Sequence, residues 1–215
     1  MRDCSCSVRR LHEHVFVTWR PPDTWSYGYL LGMYLGDGHV AIRARTTNLR
    51  ITLDAAYPDL VDETVMAVQL AVPYGHVSVR RHPRDASVIV GSYAQHWPAA
   101  FPQHGAGQKH NRPIVLATWQ RAILDADPRP FLRGLIHSDG CRVVNRFTTT
   151  LPSGRVAEYA YPRYFFSNLS ADIRALFCEY CERLGIRWTQ SNHRNISVAQ
   201  RRSVALLDEF IGPKS

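Results

Sequence analysis

The 215-residue sequence predicts an α+β fold made of two similar repeats, and three observations support this prediction. A helical stretch ends in a small residue followed by Asp-Gly twice, at residues 36–38 and 138–140. Each turn is followed by segments in which apolar and polar residues alternate, which is typical of half-buried antiparallel strands. The order helix, two strands, helix, two strands, helix then occurs twice, and such an internal repeat indicates a pseudo-two-fold architecture of αββαββα units.

The first repeat starts at a mostly apolar helix and alternates strand pairs with helices. In "HVAIRAR" and "NLRITLD" every second residue is apolar, and Pro58 marks the start of an amphipathic helix. The predicted elements are a helix at 25–38, strands at 39–45 and 48–54, a helix at 57–71, strands at 75–81 and 86–93, and a short helix at 94–101.

The second repeat follows a polar, glycine-bearing loop and has the same order. Ser170 is a suitable N-cap and Gly185 a suitable stop for its amphipathic helix. The predicted elements are helices at 114–126 and 127–140, strands at 141–150 and 157–168, a helix at 170–185, strands at 186–190 and 194–200, and a helix at 202–212. We divide the chain into an N-terminal extension of undefined structure (1–25), a first repeat with its connecting helix (26–124) and a second repeat (125–215).

Composition narrows the classes of function. The formal net charge is +8, and nearly all of the basic residues are arginines, because Lys109 and Lys214 are the only lysines. An excess of positive charge favours a polyanionic partner, most often nucleic acid. The five cysteines are scattered and odd in number, which favours reduced thiols. No apolar run approaches the roughly 18 residues of a membrane span, and the start has no signal-type apolar region, so we expect a cytoplasmic protein without a membrane partner.

The two aspartates are candidates for one shared site. Small residues lie four apart in both motif helices, Gly32 with Gly36 and Gly134 with Ser138, and this spacing allows two helix backbones to approach closely. If these faces pack about a two-fold axis, Asp37 and Asp139 lie side by side. Two close carboxylates repel each other unless a cation intervenes, and carboxylate and carbonyl oxygens suit Mg²⁺ or Ca²⁺. One Asp-Gly turn would be structural, whereas two copies in the same context favour a site that could act on phosphodiesters.

This pair of motifs resembles the two motifs of the monomeric, two-repeat LAGLIDADG homing endonucleases, and the resemblance spans residues 26–213. It implies that the motif helices form the repeat interface, with Gly32, Gly36, Gly134 and Ser138 at the contact. It also implies that Asp37 and Asp139 bind the catalytic metal, assisted by the carbonyls of Gly36 and Ser138, and that the two sheets form a saddle over DNA. Magnesium would be the cofactor, with Ca²⁺ or Mn²⁺ as substitutes. The sequence departs from the family at the sixth motif position, often acidic, which is Leu35 in one repeat and His137 in the other.

Lys109 is a third candidate catalytic residue. The stretch "GQKHNRPIVL" resembles a segment before the second motif of family members, in which a lysine contributes to the active site. In that role its charge would polarise solvent or stabilise the transition state; the alternative is an exposed loop lysine. The second repeat has no clear counterpart, and Gln200 and Arg201 are only weak candidates.

The polar faces of the predicted strands form a candidate DNA-binding surface. Arginine can bind guanine or phosphate, and Asn and Thr suit base edges, although any antiparallel sheet may expose a polar face to water. The candidate residues are Arg43, Arg45, Arg50, Thr52, His76, Ser78, Arg80, Arg142, Arg146, Thr148, Arg163, Arg187, Thr189, Asn195 and Ser197.

The sequence therefore predicts a monomeric, metal-dependent, site-specific endonuclease that cleaves both strands of DNA. Two alternatives stay open. One is a DNA-binding regulator that keeps the fold without cutting; such regulators tend to lose the acidic residues, which are present here, and to carry a helix-turn-helix, which is not evident here. The other is an RNA-binding splicing cofactor.

Overall fold

The computed structural model of the protein describes residues 19–83 and 85–214. The first half of this region contains helix α1 (Thr24–Asp37), strands β1 (Gly38–Ile42) and β2 (Thr47–Asp54), helix α2 (Pro58–Ala71), strands β3 (Val77–Arg81) and β4 (Ser87–Tyr93), and the short helix α3 (Trp97–Ala100). A 3₁₀ turn (Lys109–Asn111) and helix α4 (Thr118–Ala126) connect it to the second half. That half contains helix α5 (Arg129–Asp139), strands β5 (Gly140–Thr150) and β6 (Val156–Ser167), helix α6 (Ala171–Arg183), strands β7 (Thr189–Gln190) and β8 (Asn195–Val198), and helix α7 (Arg201–Asp208).

Each half forms one four-stranded antiparallel sheet. The strand orders are β1-β2-β4-β3 and β5-β6-β8-β7, so equivalent strands occupy equivalent positions in the two sheets. The predicted α+β fold of two αββαββα repeats is confirmed. The division of the chain between residues 124 and 125 stays a prediction, and residues 1–18 of the predicted N-terminal extension, including Cys4 and Cys6, lie outside the described residues.

Helices α1 and α5 pack along the faces that carry the small residues. A Cβ atom added at Gly32 would overlap the Phe131 carbonyl oxygen and lie 2.7 Å from the Leu135 nitrogen. A Cβ atom at Gly134 would in turn overlap the Tyr29 carbonyl oxygen. The two backbones are therefore in direct contact, and this contact fixes the relative position of the helix ends.

Helix α1 is buried on every side because α5 covers one face and its own repeat covers the rest. All ten residues from Ser26 to Leu35 are buried. A helix that is apolar all round is typical of the centre of a core, and one continuous cluster of buried side chains joins both repeats around this helix pair. The repeats thus share a single core.

The second repeat differs from the first in the length of its leading hairpin. Strand β5 pairs with β6 over its full length, from Gly140 opposite Phe166 to Thr150 opposite Val156. Only Tyr164–Ser167 of β6 also pairs with β8. The remainder of the hairpin extends beyond the sheet as a two-stranded ribbon, which carries the stacked rings of Phe147 and Tyr159. Strands β1 and β2, of five and eight residues, form no such extension.

Several predicted element boundaries were wrong, and three elements differ most. The predicted helix at 114–126 begins only at Thr118, because residues 114–117 are extended: Ile114 and Leu116 alternate into the core and Val115 is exposed. A short apolar run does not distinguish the two periodicities. The predicted strand at 186–190 is reduced to Thr189–Gln190, and the strand at 194–200 to Asn195–Val198.

Replacement of Gly32 by alanine should destabilise the protein. The added methyl group would meet backbone atoms of α5, which cannot rotate away, so we expect a loss of about 1–3 kcal/mol in the free energy of unfolding. Gly28→Ala is the matched control, because its Cβ would lie 3.2 Å from the Pro130 side chain and alanine favours the helix by about 1 kcal/mol. Urea denaturation of both variants measures the difference. Equal stabilities would contradict the close backbone contact.

Candidate functional site

The carboxyl groups of Asp37 and Asp139 are brought together where α1 and α5 end. A Cβ atom added at Gly36 would lie 3.0 Å from Oδ2 of Asp139 and would overlap Ser138. Burial and the nearby charge of Asp139 raise the pKa of Asp37 to about 6, although Lys109 and Lys214 act in the opposite direction. Burial also raises the pKa of Asp139. The arrangement therefore concentrates negative charge that an additional cation would stabilise.

Lys109 lies within this site. Its ammonium group donates a hydrogen bond to the Gly36 carbonyl oxygen at 3.0 Å and lies 5.1 Å from the centre of the Tyr34 ring. Burial lowers the pKa of Lys109 to about 8, and the charges of Asp37 and Asp139 offset part of this shift. Lys109, the candidate catalytic lysine of the first repeat, is thus located beside the backbone carbonyl of Gly36, the residue that precedes Asp37.

Lys214 occupies the equivalent position in the second repeat and was not among the predicted site residues. Its ammonium group donates to the Ser138 carbonyl oxygen at 3.4 Å and to that of Gly140 at 3.2 Å. Burial lowers the pKa of Lys214. A signal was present in the sequence, because the only two lysines each follow the last helix of a repeat. The weak candidates Gln200 and Arg201 are instead located at the start of α7.

The segment that carries Lys214 is held by the second motif helix. Arg133 donates to the carbonyl oxygens of Phe210, at 2.8 Å, and Ile211, and forms a two-point ion pair with Glu63 of α2 at 2.7 and 2.8 Å. The Nε2 atom of His137 donates to the Ile211 carbonyl oxygen at 2.9 Å, which leaves Nδ1 to accept from the Tyr29 hydroxyl group. Burial lowers the pKa of His137 to about 4, so this sixth motif residue is neutral and structural.

Two open compartments adjoin the aspartates. The first compartment, of about 470 Å³, is lined by Gly36, Asp139 and Lys109; the second, of about 440 Å³, is lined by Ser138, Asp37 and Lys214. Each compartment therefore combines the carboxylate of one repeat with the residue that precedes the carboxylate of the other. Each also contains one ammonium group.

The oxygen atoms at this site fit a hard divalent cation. Two carboxylates and two backbone carbonyls are available, and Mg²⁺ is commonly held by one or two carboxylates together with water and substrate phosphate. In the described ranges 19–83 and 85–214, no group of three or more His, Cys, Asp or Glu residues could hold a metal ion without such additional ligands. An ion in either compartment would therefore rely on water or phosphate to complete its coordination.

The face of the first sheet that points away from the helices carries polar residues. Val40, Leu49 and Ile51 are buried on the helix side, so alternate residues of the paired strands point to the opposite, open face. Of the predicted DNA-binding residues, those on this face are Arg50, Thr52, Ser78 and Arg80. Arg43 and Arg45 lie in the turn between β1 and β2, and His76 precedes β3.

The second sheet carries only some of its predicted residues on the open face. Arg163, Thr189, Asn195 and Ser197 lie on it, and Arg187 lies just before β7. The alternation places the other predicted residues on the helix side, with the buried Tyr164: Arg142, Arg146 and Thr148.

Arg142 also has a binding partner within the protein, because it forms a two-point ion pair with Asp208 of α7 at 2.8 and 2.9 Å. The consecutive valines in "CRVVNRF" leave the register of this strand undefined in the sequence.

Several polar atoms on the open faces have no partner in the protein. Among the described residues, eight buried side-chain polar atoms lack a hydrogen bond. Five of them belong to open-face residues: Asn48, Arg50, Arg163, Asn195 and Ser197. Buried polar groups are nearly always satisfied by protein, water or ligand, so these atoms require a partner from outside the protein, such as an ordered water molecule.

Comparison with known proteins identifies the fold. No protein-family model and no curated protein sequence matches the chain. Solved structures of LAGLIDADG homing endonucleases do match. Mesophilic variants of I-DmoI share 13% identity over 88% of this chain and 97% of theirs, with a TM-score of 0.57. The I-AabMI meganuclease bound to uncleaved DNA shares 10% identity over 87% of this chain and 84% of its own, with a TM-score of 0.53.

A further match covers the whole chain. The endonuclease I-WcaI bound to its DNA recognition sequence shares 10% identity over 100% of this chain and 90% of its own, with a TM-score of 0.54. The protein therefore has the fold of the LAGLIDADG homing endonucleases in their two-repeat form. Within the described part of the chain, no helix has the length and apolar character that crossing a membrane requires.

Replacement of Asp37 by asparagine should stabilise the metal-free protein at pH 8. Its pKa is about 6 in the folded state and 3.8 in the reference state, so ionisation disfavours folding above about pH 6, and this penalty disappears as the pH falls towards 4. We expect a gain of about 1–3 kcal/mol at pH 8 that vanishes near pH 4, measured by urea denaturation in EDTA. Asp208→Asn is the opposite control, since hydrogen bonds from Arg142 lower the pKa of Asp208 and removing its charge should destabilise the protein at pH 8. A constant gain at all pH values would refute the assignment.

Proposed function

We propose that the protein is a site-specific, divalent-metal-dependent endonuclease that hydrolyses both strands of double-stranded DNA. The observation that carries this proposal is the pair of compartments around Asp37 and Asp139. Each compartment is lined by the aspartate of one motif, by the residue that precedes the aspartate of the other motif, and by a lysine. Two such sites in one chain match the two phosphodiester bonds that must be broken in a duplex.

Each residue has a role in the proposed reaction. Asp37 and Asp139, with the carbonyls of Gly36 and Ser138, would hold Mg²⁺. A bound divalent ion activates water and stabilises the attacking and leaving oxygens of a phosphodiester. Lys109 and Lys214 each donate to one of these carbonyls. From this place in the site their positive charges would stabilise the charge that develops on the phosphate in the transition state.

The open faces of the sheets would bind the duplex. Their arginines can neutralise phosphates, and the unpartnered polar atoms of Asn48, Asn195 and Ser197 can bind base edges or bridging water. The net charge of +8 would attract DNA from a distance. Because both compartments are built from one chain, we propose that the protein acts as a monomer inside the cell.

The cleavage reaction itself is the decisive test. A plasmid library with random inserts is incubated with Mg²⁺, and linear products are captured and sequenced. We expect one preferred target in the wild type and a loss of at least roughly a hundredfold in linear product for Asp37→Asn and for Asp139→Asn. Specific binding without cleavage by all three proteins would favour the DNA-binding regulator, whereas selective binding of RNA would favour the splicing cofactor.

Lys214 should contribute to cleavage without contributing much to binding. We expect Lys214→Met to reduce the single-turnover cleavage rate about a hundredfold at saturating protein. Lys214→Arg, which retains the charge with a different shape, should lose less. An unchanged rate in Lys214→Met would remove this lysine from the active site while leaving the role of the aspartates untouched.

The salt dependence of DNA binding distinguishes the open faces of the two sheets from the helix side. The slope of log affinity against log salt should fall by about 1 for Arg163→Ala and for Arg50→Ala, if each neutralises one phosphate. Arg146→Ala is the matched control, because Arg146 lies on the same ribbon with its side chain on the opposite face. Fluorescence anisotropy with a target duplex measures the slopes, and an equal effect of all three substitutions would contradict the assigned docking face.

A further inference from the structure

The two compartments differ strongly in charge. The first compartment is lined by one carboxylate, two guanidinium groups and one ammonium group. The second compartment is lined by three carboxylates and one ammonium group. The charged residues of the first are Asp139, Lys109, Arg112 and Arg194. Those of the second are Asp37, Asp54, Asp85 and Lys214. The first is therefore electropositive and the second electronegative, although their volumes are similar.

Part of this difference arises at Asp54 and Asn168, which lie near the ends of the second strands of the two repeats. Asp54 is the last residue of β2 and Asn168 directly follows β6, and each accepts a hydrogen bond from the backbone nitrogen two residues later, Ala56 at 2.9 Å and Ser170 at 2.7 Å. A similar turn is thus built with a carboxylate in the first repeat and an amide in the second.

The amide group of Asn168 makes a contact that a carboxylate cannot make. Its Nδ2 atom donates a hydrogen bond to Oδ2 of Asp139 at 2.6 Å, whereas an ionised aspartate has no donor. Asn168 therefore occupies one carboxylate oxygen in the first compartment. Asp54 instead adds a negative charge to the second compartment, close enough to act on Lys214.

The carbonyl in the second compartment already has a cation against it. The Lys214 ammonium group, which lines the compartment, lies 3.4 Å from the Ser138 carbonyl oxygen, so this oxygen interacts with a positive charge from that side. A divalent ion placed there would be attracted by three carboxylates and repelled by one ammonium group. In the first compartment the balance is reversed until phosphate groups of a bound duplex neutralise the arginines and Lys109.

We propose that the DNA-free protein binds one divalent cation, in the second compartment, through Asp37, Asp54 and the Ser138 carbonyl, and that the first compartment acquires its ion only when DNA is bound. This inference rests on the proposed function, since it concerns the ions that a nuclease would use. It makes metal loading ordered, and it assigns Asp54 as a specificity-determining residue for the first ion.

Manganese titration without DNA tests the inference. The EPR signal of free aqueous Mn²⁺ disappears on binding, so the titration gives the number and affinity of sites in protein cleared of metal by EDTA. We expect one tight site per chain. Asp54→Asn, which keeps the acceptor for the turn, should weaken it by about tenfold to a hundredfold.

Two further pairs of variants locate the ion and control for charge. Asp37→Asn should abolish the DNA-free site, whereas Asp139→Asn should retain it. Glu158→Gln is the charge-matched control, because Glu158 lies on the ribbon eight residues from the Phe166 end of β6, or about 27 Å along the strand, and should leave Mn²⁺ affinity unchanged. Circular dichroism and thermal unfolding confirm that each variant is folded.

The outcomes separate this inference from the proposed function. Two equal DNA-free sites, no site, or an unchanged affinity in Asp54→Asn would overturn the inference. If the wild type nevertheless linearises its target with Mg²⁺, the nuclease assignment stands alone. A protein that binds one Mn²⁺ through Asp37 and Asp54 but cleaves no DNA would support the unequal ion sites and contradict the nuclease assignment.

Discussion

The direct contact between the backbones of α1 and α5 is the constraint on which the rest of the structure depends. At Gly32 and Gly134 neither helix has a side chain, so the two axes approach until carbonyl oxygens and nitrogens of one helix touch the other. Both repeats share the core that surrounds this contact. Because both helices end at the same depth, the contact also determines that Asp37 and Asp139 lie together between the two sheets.

Close approach of two carboxylates has an electrostatic cost, and the fold offsets it only in part. Lys109 and Lys214 supply positive charge from both sides, but each ammonium group is directed at a backbone carbonyl oxygen and not at a carboxylate. The pKa values of both aspartates consequently remain raised. Functional sites commonly retain perturbed groups of this kind, since full neutralisation within the protein would leave no affinity for an external ion.

Local sequence patterns defined most of the architecture but not the long-range contacts of the site. The repeated motif, the alternating strands and the small residues four apart predict the helix pair and both sheets, because these features are expressed over a few neighbouring residues. Lys214 was not predicted, because its position depends on a long-range contact. The segment after α7 returns to Ser138, which lies 76 positions earlier in the sequence. The sheet face on which Arg142 and Arg146 lie was equally undetermined, because two consecutive valines are compatible with either alternation of the strand.

The ribbon formed by β5 and β6 has a consequence for how a duplex could lie on the protein. The second sheet extends further than the first, and it carries aromatic rings at Phe147 and Tyr159 that have no equivalent on the short β1–β2 hairpin. The approximate two-fold symmetry of the core is therefore lost at the outer edge. A duplex bound across both sheets would therefore meet a long arm at one end and a short one at the other, so its two orientations on the protein would not be equivalent.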